Sequence, residues 1–242
     1  MKKLRKLSFL LLFAAMVTLC AAPAITSQAA TSTSTTKKTG IVKKNGKKYY
    51  YKNGKLIKNK LGYKIGSSYY KISKKGVLTK VSKAAGLAGI QLESIGRASS
   101  NSKTLKKAFT WCSTKITYNG SCGTMSSASK YAIWGFTKKN GNCNVMAACF
   151  YQMAKVLGYN AKFVKGYLVA GYDSNGEPVL TYHAWVTIKI SGKTYVYDPT
   201  FAYGKHTISN DTSAHSGYKM TYTKTGKKQQ PIYYSSKKKL LT

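Results

Sequence analysis

The sequence predicts an α+β fold, with a helix, a set of antiparallel strands and a small β-hairpin module that precedes both. Apolar residues recur at helical spacing from Val145 to Leu157, and Gly158 supplies a helix stop. Further along the chain, side chains alternate as they do in strands, and turn sequences separate the alternating segments 161–172, 179–190 and 193–198. Short loops of this kind join antiparallel neighbours, which favours a sheet beside the helix.

The hairpin module is predicted over residues 38–82, which are rich in Lys, Gly and Tyr. Asn45-Gly46 precedes an aromatic run, and Ile65-Gly66 repeats the arrangement 20 residues later. Such units bury little surface alone and need neighbours to stack on. The stretch is loosely similar to the aromatic repeats of cell-wall-binding modules in exported Gram-positive proteins. The alternative is a β extension that packs on the domain after it.

Residues 1–29 have the composition of an export signal. Four cationic side chains come first, and the apolar run from Leu7 to Leu19 is too short to span a bilayer. Small residues follow around Ala29, where signal peptidase would cut. The sequence predicts a Thr/Ser linker over 30–37 and a protein that is secreted or attached to the envelope of a Gram-positive cell.

Charge is the most unusual property of the composition. The chain has 41 Lys and Arg against 5 Asp and Glu, a formal net charge of +36, and its only arginines are Arg5 and Arg97. Specific nucleic-acid readers rely on the bidentate guanidinium, so we expect no specific nucleic-acid partner. A diffuse lysine coat suits anionic cell-wall polymers or a membrane surface. A coat that only confers solubility is the alternative.

Cysteine usage argues against a disulfide scaffold. Four cysteines remain after the predicted leader, and none forms a zinc-type pattern with histidine, so we expect neither a structural metal nor a cofactor. Cys112 and Cys122 flank a predicted turn at Asn119-Gly120. They could close a small disulfide or remain two free thiols, and the sequence leaves both open.

Cys143 has the setting of a reactive thiol. It begins the predicted helix, with Asn142 as the cap. Free backbone N–H groups and the positive end of the helix dipole stabilise a thiolate there. The same N–H groups can hold an oxyanion. Cys149 lies within the apolar stripe and is predicted to be a buried core thiol.

His183 and Asp198 lie in the strands on either side of Ser191-Gly192. If that pair forms a two-residue turn, Asp198 lies opposite Trp185 and diagonal to His183 on the same face. Diagonal neighbours are roughly 7–8 Å apart at Cα, so their side chains can hydrogen-bond. The alternative is an aspartate that only starts an Asp-Pro turn. The other face carries the residues predicted to pack in the core: Ala184, Val186, Ile188 and Ile190.

Five segments together resemble the bacterial transglutaminase-like superfamily, whose members have papain-like folds. The resemblance runs from about Leu105 to Tyr203, so residues 83–242 would be the catalytic domain. It implies a nucleophile helix packed on an antiparallel sheet that carries His and Asp. The segments that carry it are Gly141-Asn142-Cys143, Leu157-Gly158-Tyr159-Asn160-Ala161, Val164-Lys165-Gly166-Tyr167, His183-Ala184-Trp185-Val186 and Tyr197-Asp198-Pro199-Thr200.

The resemblance implies roles for three residues: Cys143 as nucleophile, His183 as general base and acid, and Asp198 as the group that orients the imidazole. Attack on an amide of a protein or peptide would give a thioester. Water would then complete hydrolysis, and an amine would complete a crosslink. Hydrolysis is favoured because many bacterial relatives are peptidases. Tyr118 and Trp111 are candidates for a second oxyanion donor.

Two alternatives to a hydrolase remain. One is a protein-crosslinking acyltransferase, which would use the same three residues. The other is a cell-wall-associated binding protein with a vestigial catalytic domain, against which the intact trio argues because a degenerate site has no reason to keep all three.

Overall fold

A computed structural model describes residues 38–120, 122–208, 217–223, 231–237 and 239–242. The predicted export signal and the Thr/Ser linker lie outside the described residues. Lys37–Thr242 form one compact unit. None of the described helices is long and apolar enough to cross a membrane.

The first part of the unit is made of short strands in two three-stranded antiparallel sheets. The first sheet contains β1 (Gly40–Lys44), β2 (Lys47–Lys52) and β3 (Lys55–Leu56); the second contains β4 (Lys60–Ile65), β5 (Ser68–Ile72) and β6 (Leu78–Val81). Asn45 and Gly46 both have positive φ (49° and 70°), as type I′ hairpin turns require. The predicted hairpins therefore form. Their interpretation as repeats stays a prediction.

Four helices and two short strands follow. They are α1 (Lys83–Ser94), α2 (Asn101–Lys115), β7 (Thr117–Tyr118), α3 (Ala128–Lys138), β8 (Asn140–Gly141) and α4 (Cys143–Val156). A serine caps each of α1, α2 and α3 by accepting a backbone N–H bond in the first turn. Helix α4 is the central element: most of its side chains are buried, and α1, α2 and α3 all pack on it.

The hairpin sheets pack directly on the helical part. A Cβ added to Gly62 in β4 would lie 2.3 Å from the Gly86 carbonyl oxygen, and one on Gly89 would lie 2.3 Å from that of Leu61. Strand and helix α1 therefore touch backbone to backbone, which only glycines allow. The Leu61 N–H also donates to the Glu93 carboxylate at 2.8 Å. The contact is the one expected of a packed β extension.

The remaining elements form the main sheet. They are β9 (Ala161–Tyr172), β10 (Pro178–Ile190), β11 (Lys193–Tyr197), α5 (Pro199–Ile208), β12 (Tyr233–Ser236) and β13 (Lys239–Leu240). The five strands run antiparallel in the order β11-β10-β9-β12-β13. Ile190 pairs with Lys193, and Ser191-Gly192 have φ of 48° and 81°. The predicted two-residue turn and its register are confirmed.

Both faces of this sheet are buried near its centre. Helix α4 covers the face with Ala184, Val186 and Ile188, as predicted. The other face carries a second apolar cluster of Trp185, Val196, Met220 and Tyr233. Met220 and Tyr233 belong to C-terminal segments for which no helix or strand was predicted. The face that carries His183 is therefore covered as well.

Candidate active site

Cys143 is the first residue of α4. The Asn142 side chain caps the helix by accepting the N–H of Asn144 at 3.1 Å. Gly141 lies against Val145 and has φ of 146°, a backbone that favours glycine. Cys143 is buried, with only 5% of its surface exposed. The predicted cap and the predicted place of Cys143 at the helix start are confirmed.

The imidazole of His183 and the carboxylate of Asp198 form a buried pair. His183 Nε2 lies 2.7 Å from Asp198 Oδ2, and both side chains are almost inaccessible to solvent. The register explains the contact. Val186 pairs with Tyr197, so the next residue, Asp198, lies opposite Trp185 and diagonal to His183. The His183 ring also lies close enough to the Cys143 sulfur to interact with it electrostatically. Since Nε2 is taken by Asp198, Nδ1 is the nitrogen left for the sulfur.

Asp198 is fully hydrogen-bonded. Its Oδ2 accepts from the Tyr233 hydroxyl at 2.8 Å in addition to His183. Its Oδ1 accepts the backbone N–H groups of Thr200 and Phe201, each at 3.0 Å, and so caps α5. One oxygen therefore starts the Asp-Pro turn while the other holds the imidazole. The two alternative predictions for Asp198 describe the same side chain.

The electrostatics of the pair favour its ionised form. Burial alone would lower the pKa of His183. The charge of Asp198, the hydrogen bond to its carboxylate and the interaction with the Cys143 sulfur outweigh burial and raise the pKa to about 10. Burial would raise the pKa of Asp198, but the imidazolium charge and the hydrogen bonds from His183, Phe201 and Tyr233 bring it below its ordinary value. The resting pair at neutral pH is imidazolium and carboxylate.

Tyr233 is a site residue that the sequence analysis missed. It lies in β12, which pairs with β9, and its ring packs on the indole of Trp185 with centroids 4.6 Å apart. Burial and the charge of Asp198 raise its pKa well above the ordinary value, so it remains a hydroxyl donor. The available signal was the apolar and aromatic run Ile232-Tyr233-Tyr234 near the C-terminus.

Of the two candidate oxyanion donors, the structure brings Tyr118 to the site. Parallel pairing of β7 with β8 sets Tyr118 beside Gly141, two residues before the nucleophile. Burial, then the nearby Cys143 sulfur, raises the pKa of its hydroxyl. Trp111 instead stacks on Phe136 in the helical core, with centroids 5.9 Å apart.

Asn144 is the second residue that the sequence analysis missed. Its carboxamide is buried, and Nδ2 lies 3.9 Å from the Cys143 sulfur, within reach of a weak N–H···S hydrogen bond. Its Oδ1 is buried without a partner among the described residues. A buried amide that donates a hydrogen bond to sulfur stabilises the negatively charged form of that sulfur.

The other cysteines have no place in this cluster. Cys112 and Cys122 are free thiols, so the structure contains the second of the two predicted states. The Cys112 sulfur lies 4.0 Å from that of Met153, and burial raises its pKa well above the ordinary value. Cys149 is fully buried and contacts the Ala132 carbonyl, as predicted for a core thiol.

Comparisons with known proteins agree with this geometry. Residues 90–199, just under half of the chain, match the family model described as the Transglutaminase-like superfamily. The chain is similar to a proposed cysteine protease from Cytophaga hutchinsonii, at 19% identity and a TM-score of 0.38, over 49% of this chain and 38% of that one. It is also similar to the periplasmic domain of TgpA from Pseudomonas aeruginosa, at 17% identity and a TM-score of 0.40, over 49% and 44%.

The chain thus spans less than half the length of either structure. No curated protein matches it. The segment that matches the family model contains Cys143, His183 and Asp198.

Proposed function

We propose that the chain is an exported cysteine enzyme that hydrolyses amide bonds of proteins or peptides through a thioester on Cys143. The observation that carries the proposal is the buried Asp198–His183 pair, whose imidazole lies close to a cysteine at a helix N-terminus. A protonated imidazole beside that sulfur supports the anionic, nucleophilic form. A thiol, an imidazole and a carboxylate are the three groups of a cysteine-based triad.

The first chemical step forms a carbon–sulfur bond. The Cys143 sulfur attacks the amide carbonyl carbon, and the electron pair of the C=O bond moves to oxygen. The N–H groups of Asn144 and Val145 are already bonded to Asn142, which leaves the Cys143 N–H as the first-turn donor for this oxyanion. The Tyr118 hydroxyl is the proposed second donor, since it lies beside Gly141.

The second step breaks the carbon–nitrogen bond. The leaving amine takes its proton from the His183 imidazolium, and the acyl group stays on sulfur as a thioester. Neutral His183 then accepts a proton from water as water attacks the thioester, and the acyl–sulfur bond breaks to release the acid and the Cys143 thiolate beside the His183 imidazolium. Asp198 does not exchange protons. It stabilises the imidazolium and fixes the ring orientation.

Hydrolysis is proposed over transfer to an amine by analogy with bacterial members of the superfamily that act as peptidases. A crosslinking acyltransferase is the alternative enzyme, and it differs only in which nucleophile takes the acyl group. A binding protein with a vestigial site is the non-enzyme alternative. The fully bonded Asp198 argues against the vestigial site, because a carboxylate that no longer orients an imidazole needs no such arrangement.

The reactivity of Cys143 tests the pair directly. Replacing His183 with Ala removes the imidazolium, so alkylation of Cys143 by iodoacetamide at pH 6 should slow by at least about tenfold. Mass spectrometry of the labelled peptide gives the rate at Cys143 separately from Cys122. Asn119→Ala, near the site but outside the pair, serves as the control. Equal rates in wild type and His183→Ala would contradict the proposal.

The fate of the thioester decides between the two enzymes. Incubating the protein with a casein-like substrate and a fluorescent primary amine should produce fragments that carry no label. Cys143→Ala should produce neither fragments nor labelled protein. Label on intact substrate would establish the acyltransferase instead. Absence of both products, with Cys143 alkylation independent of His183, would favour the vestigial site.

We also propose that the protein is exported and binds anionic cell-wall polymers through the β1–β2 hairpin. The proposal of export rests on the composition of residues 1–29, and finding the protein in the cytoplasm with these residues still attached would contradict it.

The proposal of wall binding rests on the lysines of the hairpin. Lys43 faces Lys48 and Lys44 faces Lys47, and all four are exposed. Like charges placed opposite each other in a sheet destabilise it, and a bound polyanion would relieve that repulsion.

Point substitutions are the appropriate test of wall binding, because β4 packs on α1 and deleting 38–82 would uncover that helix. Replacing Lys43, Lys44, Lys47 and Lys48 with Gln should weaken binding to isolated cell walls at physiological salt. The control replaces four exposed lysines elsewhere, Lys103, Lys106, Lys115 and Lys138, and loses the same charge. Equal losses would show that only the net charge of the lysine coat matters.

A further inference from the structure

We infer, on the basis of the proposed function, that the active site contains a binding site for a carboxylate group of the substrate. Lys165 supplies the cation, the buried Tyr131 ring lies beneath it, and Tyr167 and Tyr182 form the walls. The substrates are then peptides that carry a free carboxylate close to the amide that is cleaved.

Sheet register places the lysine and two of the tyrosines on one face. Tyr182 in β10 pairs with Tyr167 in β9, and Ala184 pairs with Lys165. Residues directly opposite each other in an antiparallel pair project to the same side, and so do alternate residues of one strand. Ala184 packs in the core beneath α4. Lys165, Tyr167 and Tyr182 therefore lie on the face that α4 covers.

The alternate residues of β10 on this face pass from the buried core to the surface near Cys143. Ala184 is fully buried, whereas Tyr182, two residues earlier on the same row, is 48% exposed. The Tyr182 and Tyr167 rings are perpendicular, with centroids 6.2 Å apart. The pKa of Tyr182 is raised first by partial burial, then by the nearby Cys143 sulfur, and last by the hydroxyls of Tyr131 and Tyr167. An aromatic pair of exposed Tyr182 and half-buried Tyr167 thus lies near the start of α4.

A third tyrosine orients the lysine. The Lys165 ammonium lies over the ring of Tyr131 in α3, 5.6 Å from its centroid. That ring is buried, and its hydroxyl accepts the Met125 N–H at 2.9 Å, so the platform beneath the ammonium is fixed. Burial of the ring and the bond to its hydroxyl distinguish Lys165 from the lysines of the general coat.

The charge of Lys165 is uncompensated among the described residues. The only carboxylates in ion pairs there are Glu93, bound to Arg97, and Asp198, bound to His183. A cation over a fixed ring, in a row of side chains whose Tyr182 lies near the nucleophile, and without a carboxylate among the described residues, is suited to bind a carboxylate that the substrate brings. The tyrosine rings would pack on the peptide on either side of it.

Two alkylating reagents of nearly the same size test the site without a known substrate. Iodoacetate carries a carboxylate where iodoacetamide carries an amide, and both react with the Cys143 sulfur. The measured quantity is the ratio of their rate constants at Cys143, from mass spectrometry of the labelled peptide. Lys165→Met should lower that ratio by roughly threefold to tenfold, as expected for loss of one partly exposed charge.

Two further variants serve as controls. Lys162→Met removes an exposed charge from the same strand, with its side chain on the opposite face, and should leave the ratio near that of wild type. Lys165→Arg keeps the charge and should retain the preference. An equal ratio in wild type and Lys165→Met, or an equal loss in Lys162→Met, overturns the inference.

The outcome is separable from that of the proposed function. If iodoacetamide labelling depends on His183 but Lys165→Met does not change the ratio of the two rate constants, the enzyme assignment stands and the carboxylate site is wrong. If Lys165→Met lowers the ratio but His183→Ala does not change the labelling rate, the site exists and the proposed chemistry is wrong. For a cleaved peptide, kcat/KM for free-carboxylate and amidated forms should differ by a similar ratio, and Lys165→Met should remove the difference.

Discussion

The buried carboxylate of Asp198 holds the active site together. It takes its four hydrogen bonds from three parts of the fold: His183 in β10, Tyr233 in β12, and the amides of Thr200 and Phe201 at the start of α5. A buried charge is tolerated only when such partners are present, and breaking a buried pair by removing one partner typically costs about 3–5 kcal/mol. The same bonds orient the imidazole toward Cys143 and hold the C-terminal strand against the sheet.

Local chemistry was enough to predict the helix and the strand pair that carry the trio. Helical periodicity and Asn142 located Cys143 at the start of α4, and periodicity also separated it from Cys149 in the core. The turn at Ser191-Gly192 set the register, because a two-residue loop permits only one alignment of its strands. The meeting of His183 with Asp198 follows from that register.

Long-range pairings could not be predicted in the same way. Tyr233 reaches Asp198 because β12 joins β9 across more than sixty intervening residues, and nothing local in the sequence specifies that pairing. Tyr118 reaches the nucleophile through the parallel contact of two very short strands. Lys165 belongs to one of the segments that carry the family resemblance, which does not predict its contact with Tyr131. That contact depends on where α3 lies relative to β9.

The protonation state of His183 tests the account most directly. Nitrogen NMR of the imidazole, with the signal assigned by comparison with His183→Ala, reports whether one or both ring nitrogens carry a proton. Because the pKa is raised to about 10, both should remain protonated from pH 6 to pH 8 and lose a proton only near pH 10. In Asp198→Asn the proton should be lost at a much lower pH. A neutral imidazole at pH 7 in the wild-type protein would contradict the account.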